Sequence, residues 1–386
     1  MLRMGFQQFP YQQPVFGDLA RMRVMFDRVF PAHRYKVLAT DVVTDLLGAG
    51  VGAYCDLAPF FMAGVMRNHG RYDPGWLKLP NSGALPPEDI SRVFERMSAS
   101  PKDIRLLARS GRNQDPRLRQ YDYNPLVATP FVRLSDGTGL APQPLFFVAK
   151  FSPAAMFYAG IESYGNDLAK DLGVVNEVYV LVQLGQLTSV GADVNGEVEY
   201  AKDKLSVDCT VVMADLVMLV EVKSARPAFA ALVDTDSYVK SLGRTVGHAI
   251  DQLNTTYEQW QAGNPALAHL PRDGRSVCGY VVVPEPLYKV NEAAIRLHFP
   301  SPPFDVAIVS MTELEDLVGW TLYERCSTVI RRATQPSGQG AVTADVRRAL
   351  REGCIVSRGS SRGIRCSTTR MRRCGGRVSG LLASGT

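Results

Sequence analysis

The sequence predicts an α/β protein with a central mixed sheet sandwiched between helices, a mainly helical domain before it and a disordered tail after it. Three observations predict this class. In the second half of the chain, the order of elements is helix, three strands, helix, two strands and helix. The uninterrupted apolar run at residues 216–220 is typical of a strand covered on both faces. The 386 residues suffice for two domains, each with its own core.

The first domain, residues 1–145, is predicted to be mainly helical, and its role is unknown. Apolar residues at helical spacing, with proline and acids in two of the first turns, predict four helices. These helices lie at residues 41–47, 54–67, 86–97 and 100–108. A Ser135-Asp136-Gly137 turn predicts a hairpin within the extended segment 125–144. Residues 145–150 are apolar and predict a short strand.

The second domain, residues 146–330, contains an amphipathic helix at residues 167–187. Apolar residues recur there every three or four positions and predict one buried face. This face consists of Leu168, Leu172, Val175, Tyr179 and Val182. A short strand is predicted at residues 197–200. The β-rich runs 205–213 and 216–223 form a hairpin, because only Ala214-Asp215 separates them. The remaining elements are helices at 246–260 and 311–318 and strands at 276–283 and 304–310.

The net charge of +5 comes from the tail, residues 331–386, which is rich in Arg, Gly and Ser. The tail holds twelve Arg, no Lys and two acids, so the rest of the chain carries a net charge of −5. An argument from overall charge to nucleic-acid binding is therefore excluded. The tail lacks periodicity and is predicted to be disordered. Beyond about Gly353, the enrichment in Arg, Gly and Cys without a pattern also fits a segment that is translated out of frame or is under no selection, so no function is assigned to the tail.

Cysteine usage and apolar patterning predict a cytoplasmic protein without a membrane segment. Seven Cys, an odd number without a CxxC pair, favour a reducing compartment. Cys55, Cys209 and Cys278 lie in apolar runs typical of buried thiols. The first fourteen residues lack the apolar region of a signal peptide. Asp56 and Pro59 interrupt residues 46–66, which favours two packed helices over a membrane span.

One short stretch carries most of the functional information. It consists of Asp208, twelve mostly apolar residues and then Glu221-Val222-Lys223. An acid two residues before a lysine means little alone, because a chain with 10 Lys and 38 acids contains about one such pair by chance. The turn predicted at Ala214-Asp215 gives the pair its meaning, because in ideal register it sets Asp208 directly opposite Glu221.

This register predicts a metal site at one end of the hairpin. Opposed residues share a face of the sheet, with Cβ atoms about 4.5–5.5 Å apart. Two carboxylates at that distance repel each other unless a cation lies between them. Glu221 and Lys223 share this face, because side chains alternate along a strand. We therefore expect Mg²⁺ or Mn²⁺ to polarise a phosphodiester here, while Lys223 stabilises the developing negative charge and orients the attacking water.

The pattern resembles the PD-(D/E)XK nuclease superfamily, which has the restriction-endonuclease-like α/β/α sandwich fold, over residues 160–310. The resemblance implies that Asp208, Glu221 and Val222 bind the metal. It also implies that Lys223 is the catalytic lysine. A helix before the sheet carries a glutamate in that family, and Glu177 fits this position.

The helix after the motif often carries a glutamine and a tyrosine in that family, and Gln252 and Tyr257 look similar. Their spacing is one residue longer than in the family members that have this pair, and Tyr257 also fits a core residue. His248, one turn before Gln252, is typical of a structural histidine. The proline of the first half of the motif is often absent in the family, and here Val207 takes its place. Arg226 is a candidate phosphate contact.

Two functions fit these residues. The first is a metal-dependent nuclease acting on nucleic acid, most simply DNA, with a homodimer or a protein partner left open. The second is a catalytically silent protein of the same fold that binds nucleic acid or protein. The intact motif favours the nuclease. The net negative charge of residues 1–330 favours the silent binding protein, or a nuclease whose partner supplies the affinity for DNA. Five arginines between residues 105 and 119 fit a phosphate-contacting surface or, more simply, a solvated helix face and loop.

Overall fold

The structure, a computed structural model, shows a mixed α/β protein. The structure describes residues 15–73, 75–76, 86–110, 112, 119, 122, 124–224, 235–287, 290–325 and 327–334. Three predictions lie outside these residues. They concern the absence of a signal peptide at residues 1–14, the phosphate contact of Arg226 and the tail beyond residue 334. Among the clustered arginines, Arg117 also lies outside them.

The N-terminal half is mainly helical, as predicted. Its helices are α1 (Val15–Arg23), α2 (Thr40–Leu47), α3 (Val51–Arg67), α4 (Pro87–Arg96) and α5 (Pro101–Ser110). The last four confirm the helices expected from the apolar spacing. The short strands of this half are β1 (Arg71–Tyr72), β2 (Ser98–Ala99), β3 (Phe131–Arg133) and β4 (Gly139–Leu140). The predicted hairpin is confirmed, since β3 and β4 pair antiparallel around Gly137, whose φ is 81°.

The predicted strand at residues 145–150 is wrong, because this segment forms helix α6 (Pro144–Ala149). Proline at the first helical position presets the backbone for a helix. The side chain of Gln143 also accepts a hydrogen bond from the backbone N–H of Leu145 and caps the first turn. A short apolar run alone does not distinguish a strand from a buried helix.

One segment, Thr40–Arg67, is the only part of the described chain that is apolar and long enough to span a membrane by length and composition. Its most apolar window of 18 residues has a mean hydropathy of 1.4, and half of that window is buried inside the protein. Gly48, with a φ of 85°, ends α2 before α3 begins. The segment is therefore two core helices, as predicted, and the cytoplasmic location stays a prediction.

The long helix α7 (Pro153–Gly185) lies before the main sheet and bends at Gly165, whose φ of 57° and ψ of −143° are not helical. The arm after the bend corresponds to the predicted amphipathic helix. Four of its five predicted apolar residues are buried, but Val182 is 46% exposed. The predicted spacing averages 3.5 residues, and an α-helix of 3.6 residues per turn drifts off such a stripe by about 20° per heptad. Val180 and Leu184 are buried instead.

The main sheet is mixed, as predicted. Its strands are β5 (Asp193–Gly196), β8 (Cys209–Val212), β9 (Leu216–Val222), β10 (Ser276–Val283) and β11 (Asp305–Ser310). They lie in the order β11-β10-β9-β8-β5, with β9, β10 and β11 parallel and the other pairs antiparallel. A separate ribbon pairs β6 (Glu199–Ala201) with β7 (Lys204–Leu205), so the strand expected at 197–200 is confirmed only in part.

Helices pack against both faces of this sheet. After β9 the helices are α8 (Thr235–Leu242), a π-helical turn (Gly243–Gly247), α9 (His248–Gln261), α10 (Ala293–Arg296), α11 (Met311–Glu324) and α12 (Thr328–Thr334). Strand β9 is buried along its whole length, as predicted. Its side chains alternate between two apolar clusters, with Met218 and Val220 in one and Val217 and Leu219 in the other.

The larger apolar cluster runs from Met22 to Ala333 and joins the N-terminal helices to the main sheet. A polar contact crosses the same region. Arg21 on α1 is 5% exposed and donates to both carboxylate oxygens of Glu315 on α11, at 2.6 and 2.9 Å. The hydroxyl of Tyr179 on α7 donates to Glu315 at 2.5 Å. The core is thus continuous across residue 145, and the domain boundary there stays a prediction.

We expect Arg21→Met to lower the free energy of unfolding by about 3 kcal/mol, because it leaves the partly buried carboxylate of Glu315 without its cation. The matched control is Arg23→Met on the same helix. Arg23 is 49% exposed and bonds to exposed Asp56, so its loss should cost less than about 1 kcal/mol. Urea unfolding measures both values. Equal losses for the two variants would show that the buried contact does not join these helices.

Candidate functional site

The candidate site lies where strand β8 begins and strand β9 ends, at one edge of the main sheet. The two strands pair antiparallel, with Cys209 opposite Val220 and Val212 opposite Val217. The backbone N–H of Met213 donates to the carbonyl of Leu216 at 2.8 Å and closes the turn. The predicted register is therefore confirmed along the ladder. One step further, the same register sets Asp208 opposite Glu221.

Asp208 contacts the backbone of the strand that it faces. Its Oδ2 atom accepts a hydrogen bond of 2.6 Å from the backbone N–H of Val222. Asp208 and Glu221 also interact electrostatically, since the charge of Asp208 disfavours the ionised form of Glu221 and raises its pKa. Strand pairing thus brings together the two acids that the sequence predicts to act together.

Lys223 forms the centre of a hydrogen-bonded chain. Its Nζ atom donates to Oε1 of Glu221 at 2.6 Å and to Oε1 of Gln252 at 2.6 Å. Gln252 lies on α9, which packs against this face of the sheet. The side chain of Lys223 is 24% exposed, whereas that of Glu221 is 2% exposed. A cation at the surface is therefore held by two partners, one of which is a buried acid.

The Oε2 atom of Glu221 is buried and has no hydrogen-bond partner in the described structure. Burial and the neighbouring Asp208 raise the pKa of Glu221 to about 8, although Lys223 opposes this shift. Burial also raises the pKa of Asp208, against the opposing effect of its backbone hydrogen bond and Lys223. One lysine does not neutralise two crowded carboxylates, so this edge of the sheet favours an additional cation.

Glu177 approaches the same edge from α7, on the other side of the sheet. Burial, Asp208 and Glu197 raise the pKa of Glu177 to about 7, and Lys223 partly offsets the shift. The neighbouring Asn176 is buried and donates to Oγ of Ser224 at 2.8 Å, which fixes this part of α7 against the end of β9. Glu177 therefore belongs to the electrostatic surroundings of Asp208.

Sequence reasoning missed Glu197 as a member of this group. Gly196 pairs with Cys209, so Glu197 lies one step beyond the ladder, beside Asp208. Burial and Asp208 raise the pKa of Glu197. The signal that identifies it is the pairing of β5 with β8, which no local pattern in the sequence reveals.

The other singled-out residues lie elsewhere. Tyr257 packs against Phe304, with ring centroids 5.1 Å apart and the ring planes tilted by 52°, and lines a cavity of about 370 Å³ at the opposite edge of the sheet. His248 is exposed at the start of α9. Asp215 makes the predicted turn and forms a salt bridge with Arg331 at 2.9 Å. The described arginines between 105 and 119 are exposed.

The candidate ligands for a divalent cation at this edge are two carboxylates and one main-chain oxygen. Among the described residues, no three His, Cys, Asp or Glu side chains come together as a complete metal site. Mg²⁺, however, commonly uses only one or two carboxylates and fills its shell with water and phosphate oxygens. Asp208 and the unpartnered oxygen of Glu221 are the two carboxylates that could hold such an ion, and the Val222 carbonyl is the neighbouring main-chain oxygen.

No family model and no curated protein sequence matches the chain. The mixed α/β fold and the side chains gathered at the end of β9 are therefore the basis for assigning a function.

We expect Asp208→Asn to raise the melting temperature in EDTA by a few degrees, because it removes one crowded charge and keeps an oxygen that accepts from Val222. A raised pKa in the folded state means that stability is present at low pH and lost as the pH rises. For Glu221 this loss runs from pH 4.5 to about 8. Thermal unfolding at several pH values should show a smaller loss in the variant.

Asp193→Asn on β5 is the control for this measurement, since Asp193 is exposed and lies outside the site. It should leave both the melting temperature and its pH dependence unchanged. If Asp208→Asn melted below the wild type at neutral pH, the two carboxylates would not repel each other as described.

Proposed function

We propose that the protein is a metal-dependent nuclease that hydrolyses phosphodiester bonds of DNA. The observation that carries this proposal is the buried, unpartnered oxygen of Glu221 in the field of Asp208, with Lys223 bonded to the other oxygen of Glu221. Two acids and a lysine at one strand end supply what phosphodiester hydrolysis requires, namely metal ligands and a cation for the developing charge.

Asp208 and Glu221, with the main-chain oxygen of Val222, would hold Mg²⁺ or Mn²⁺. The metal, when bound, supplies Lewis-acid activation of the phosphate and lowers the pKa of a bound water. The protein supplies the geometry. Asp208 is fixed by the Val222 N–H, so its second oxygen remains available to a ligand.

Lys223 would contact the scissile phosphate. Its ammonium group is oriented by Glu221 and Gln252, and its partial exposure leaves it open to a substrate that arrives from solvent. A preorganised cation stabilises negative charge that develops in the transition state. Glu177, with a pKa of about 7, suits a group that accepts or releases a proton near neutral pH.

The resemblance to the PD-(D/E)XK superfamily is part of this proposal, and so is the restriction-endonuclease-like form of the fold. The antiparallel pair β8–β9, the preceding helix with Glu177 and the following helix with Gln252 support it. The alternative, a silent binding protein of the same fold, is an outcome of the experiment that follows.

The test is cleavage of supercoiled, linear and single-stranded DNA, and of RNA, with Mg²⁺, with Mn²⁺ and in EDTA. We expect cleavage of DNA that depends on the metal. Asp208→Ala and Lys223→Ala should lower the rate on the order of a hundred-fold or more. The matched controls are Asp193→Ala and Lys202→Ala, which change exposed residues of the same types.

Activity that survives in both site variants would show that another group or a contaminant cleaves the substrate. A wild type that is inert on every substrate, yet binds DNA, would support the silent binding protein.

A further inference from the structure

Three cationic or polar side chains precede Gln252 at intervals of four residues. They are Lys240 on α8, Arg244 in the π-helical turn and His248 at the start of α9, and all three are exposed. The backbone is helical through both junctions, since Leu242, Gly247 and His248 have right-handed helical φ and ψ angles. One helical rod therefore carries these side chains towards the site.

The π-helical turn keeps this row straight. In an α-helix, four residues exceed one turn by about 40°, so side chains four apart spiral around the axis. A π turn is wider, so four residues fall short of a full turn. Because Gly243–Gly247 lies between Lys240 and His248, the two deviations offset each other. The three side chains and Gln252 thus share one face of the rod.

The row is open to a ligand and leads to the site. None of the three side chains forms a salt bridge or a side-chain hydrogen bond with a described residue. The fourth position, Gln252, bonds directly to the Nζ atom of Lys223. From Lys240 to Gln252 the rod rises about 18 Å, at about 1.5 Å per residue. A run of phosphates along one nucleic-acid strand has the complementary charge and shape.

We propose that Lys240, Arg244 and His248 form a phosphate-binding row that leads one strand of DNA to Lys223. The inference rests on the proposed nuclease function and names how that site receives its substrate. Such a row would give DNA affinity to a chain whose first 330 residues carry a net charge of −5. A local row of cations attracts phosphates even when the surrounding protein is acidic.

The test measures binding of a short fluorescein-labelled single-stranded DNA by anisotropy, in EDTA and at increasing salt. In EDTA the full-length protein binds without metal-dependent cleavage. Each lost phosphate contact lowers the slope of log Kd against log salt by about 0.7. We expect Lys240→Gln/Arg244→Gln to lower the slope by about 1.4 and to weaken binding about ten-fold at low salt.

Two further variants separate the position of the charge from its amount. Arg67→Gln/Arg71→Gln removes two exposed cations from α3 and β1 and should leave the slope close to that of the wild type. Lys240→Gln/Gly243→Lys keeps the net charge but moves one cation off the row. A side chain fits at Gly243, where an added Cβ meets no atom within 4 Å. This variant should lower the slope by about 0.7 relative to the wild type, which is half the change expected for Lys240→Gln/Arg244→Gln.

The outcomes distinguish the row from the catalytic site. Wild-type binding and slope in Lys240→Gln/Arg244→Gln would overturn the row, whether or not the protein cleaves DNA in Mg²⁺. An equal loss in Arg67→Gln/Arg71→Gln would also overturn it, because only total charge would matter. A protein that cleaves nothing, yet loses binding only in the row variants, would retain the row and refute the nuclease.

Discussion

The turn at Ala214-Asp215 is the constraint on which the candidate site depends. It fixes which residues of β8 and β9 face each other, and this register alone brings Asp208 to Glu221. Side chains in a strand alternate between faces, so a slip of one residue would move Asp208 to the far side of the sheet. Asp215 anchors the turn to α12 through Ser327 and Arg331, and burial of β9 on both faces holds the strand in place.

The end of β9 concentrates acids where burial and neighbouring charges raise their pKa values. Glu221 is buried beside Asp208. Lys223 is the cation that partly offsets the raised pKa values of Glu221, Asp208 and Glu177. Groups whose pKa values are displaced by burial and by like charges cluster at functional sites. Burial of apolar side chains on both faces of the sheet offsets the unfavourable repulsion among these acids.

Local patterns predicted the parts of the fold that local interactions determine. The β8–β9 hairpin and the helices have short-range signals, so the positions of Asp208, Glu221 and Lys223 followed from the sequence. The run at 145–150 was predicted wrongly because its length and apolarity suit either structure, and a side-chain cap decided between them. Glu197 was missed because it joins the site through β5, whose pairing with β8 is set by tertiary packing.

The π-helical turn has an evolutionary consequence. It contains one more residue between hydrogen-bonded groups than the α-helical turn that it replaces. A single-residue deletion there would rotate every side chain before it relative to Gln252, while the sheet and the acids at its edge stayed unchanged. A single insertion or deletion in Gly243–Gly247 would therefore change which side chains of α8 face the candidate site. Substitutions would have to replace these side chains one at a time to reach the same result.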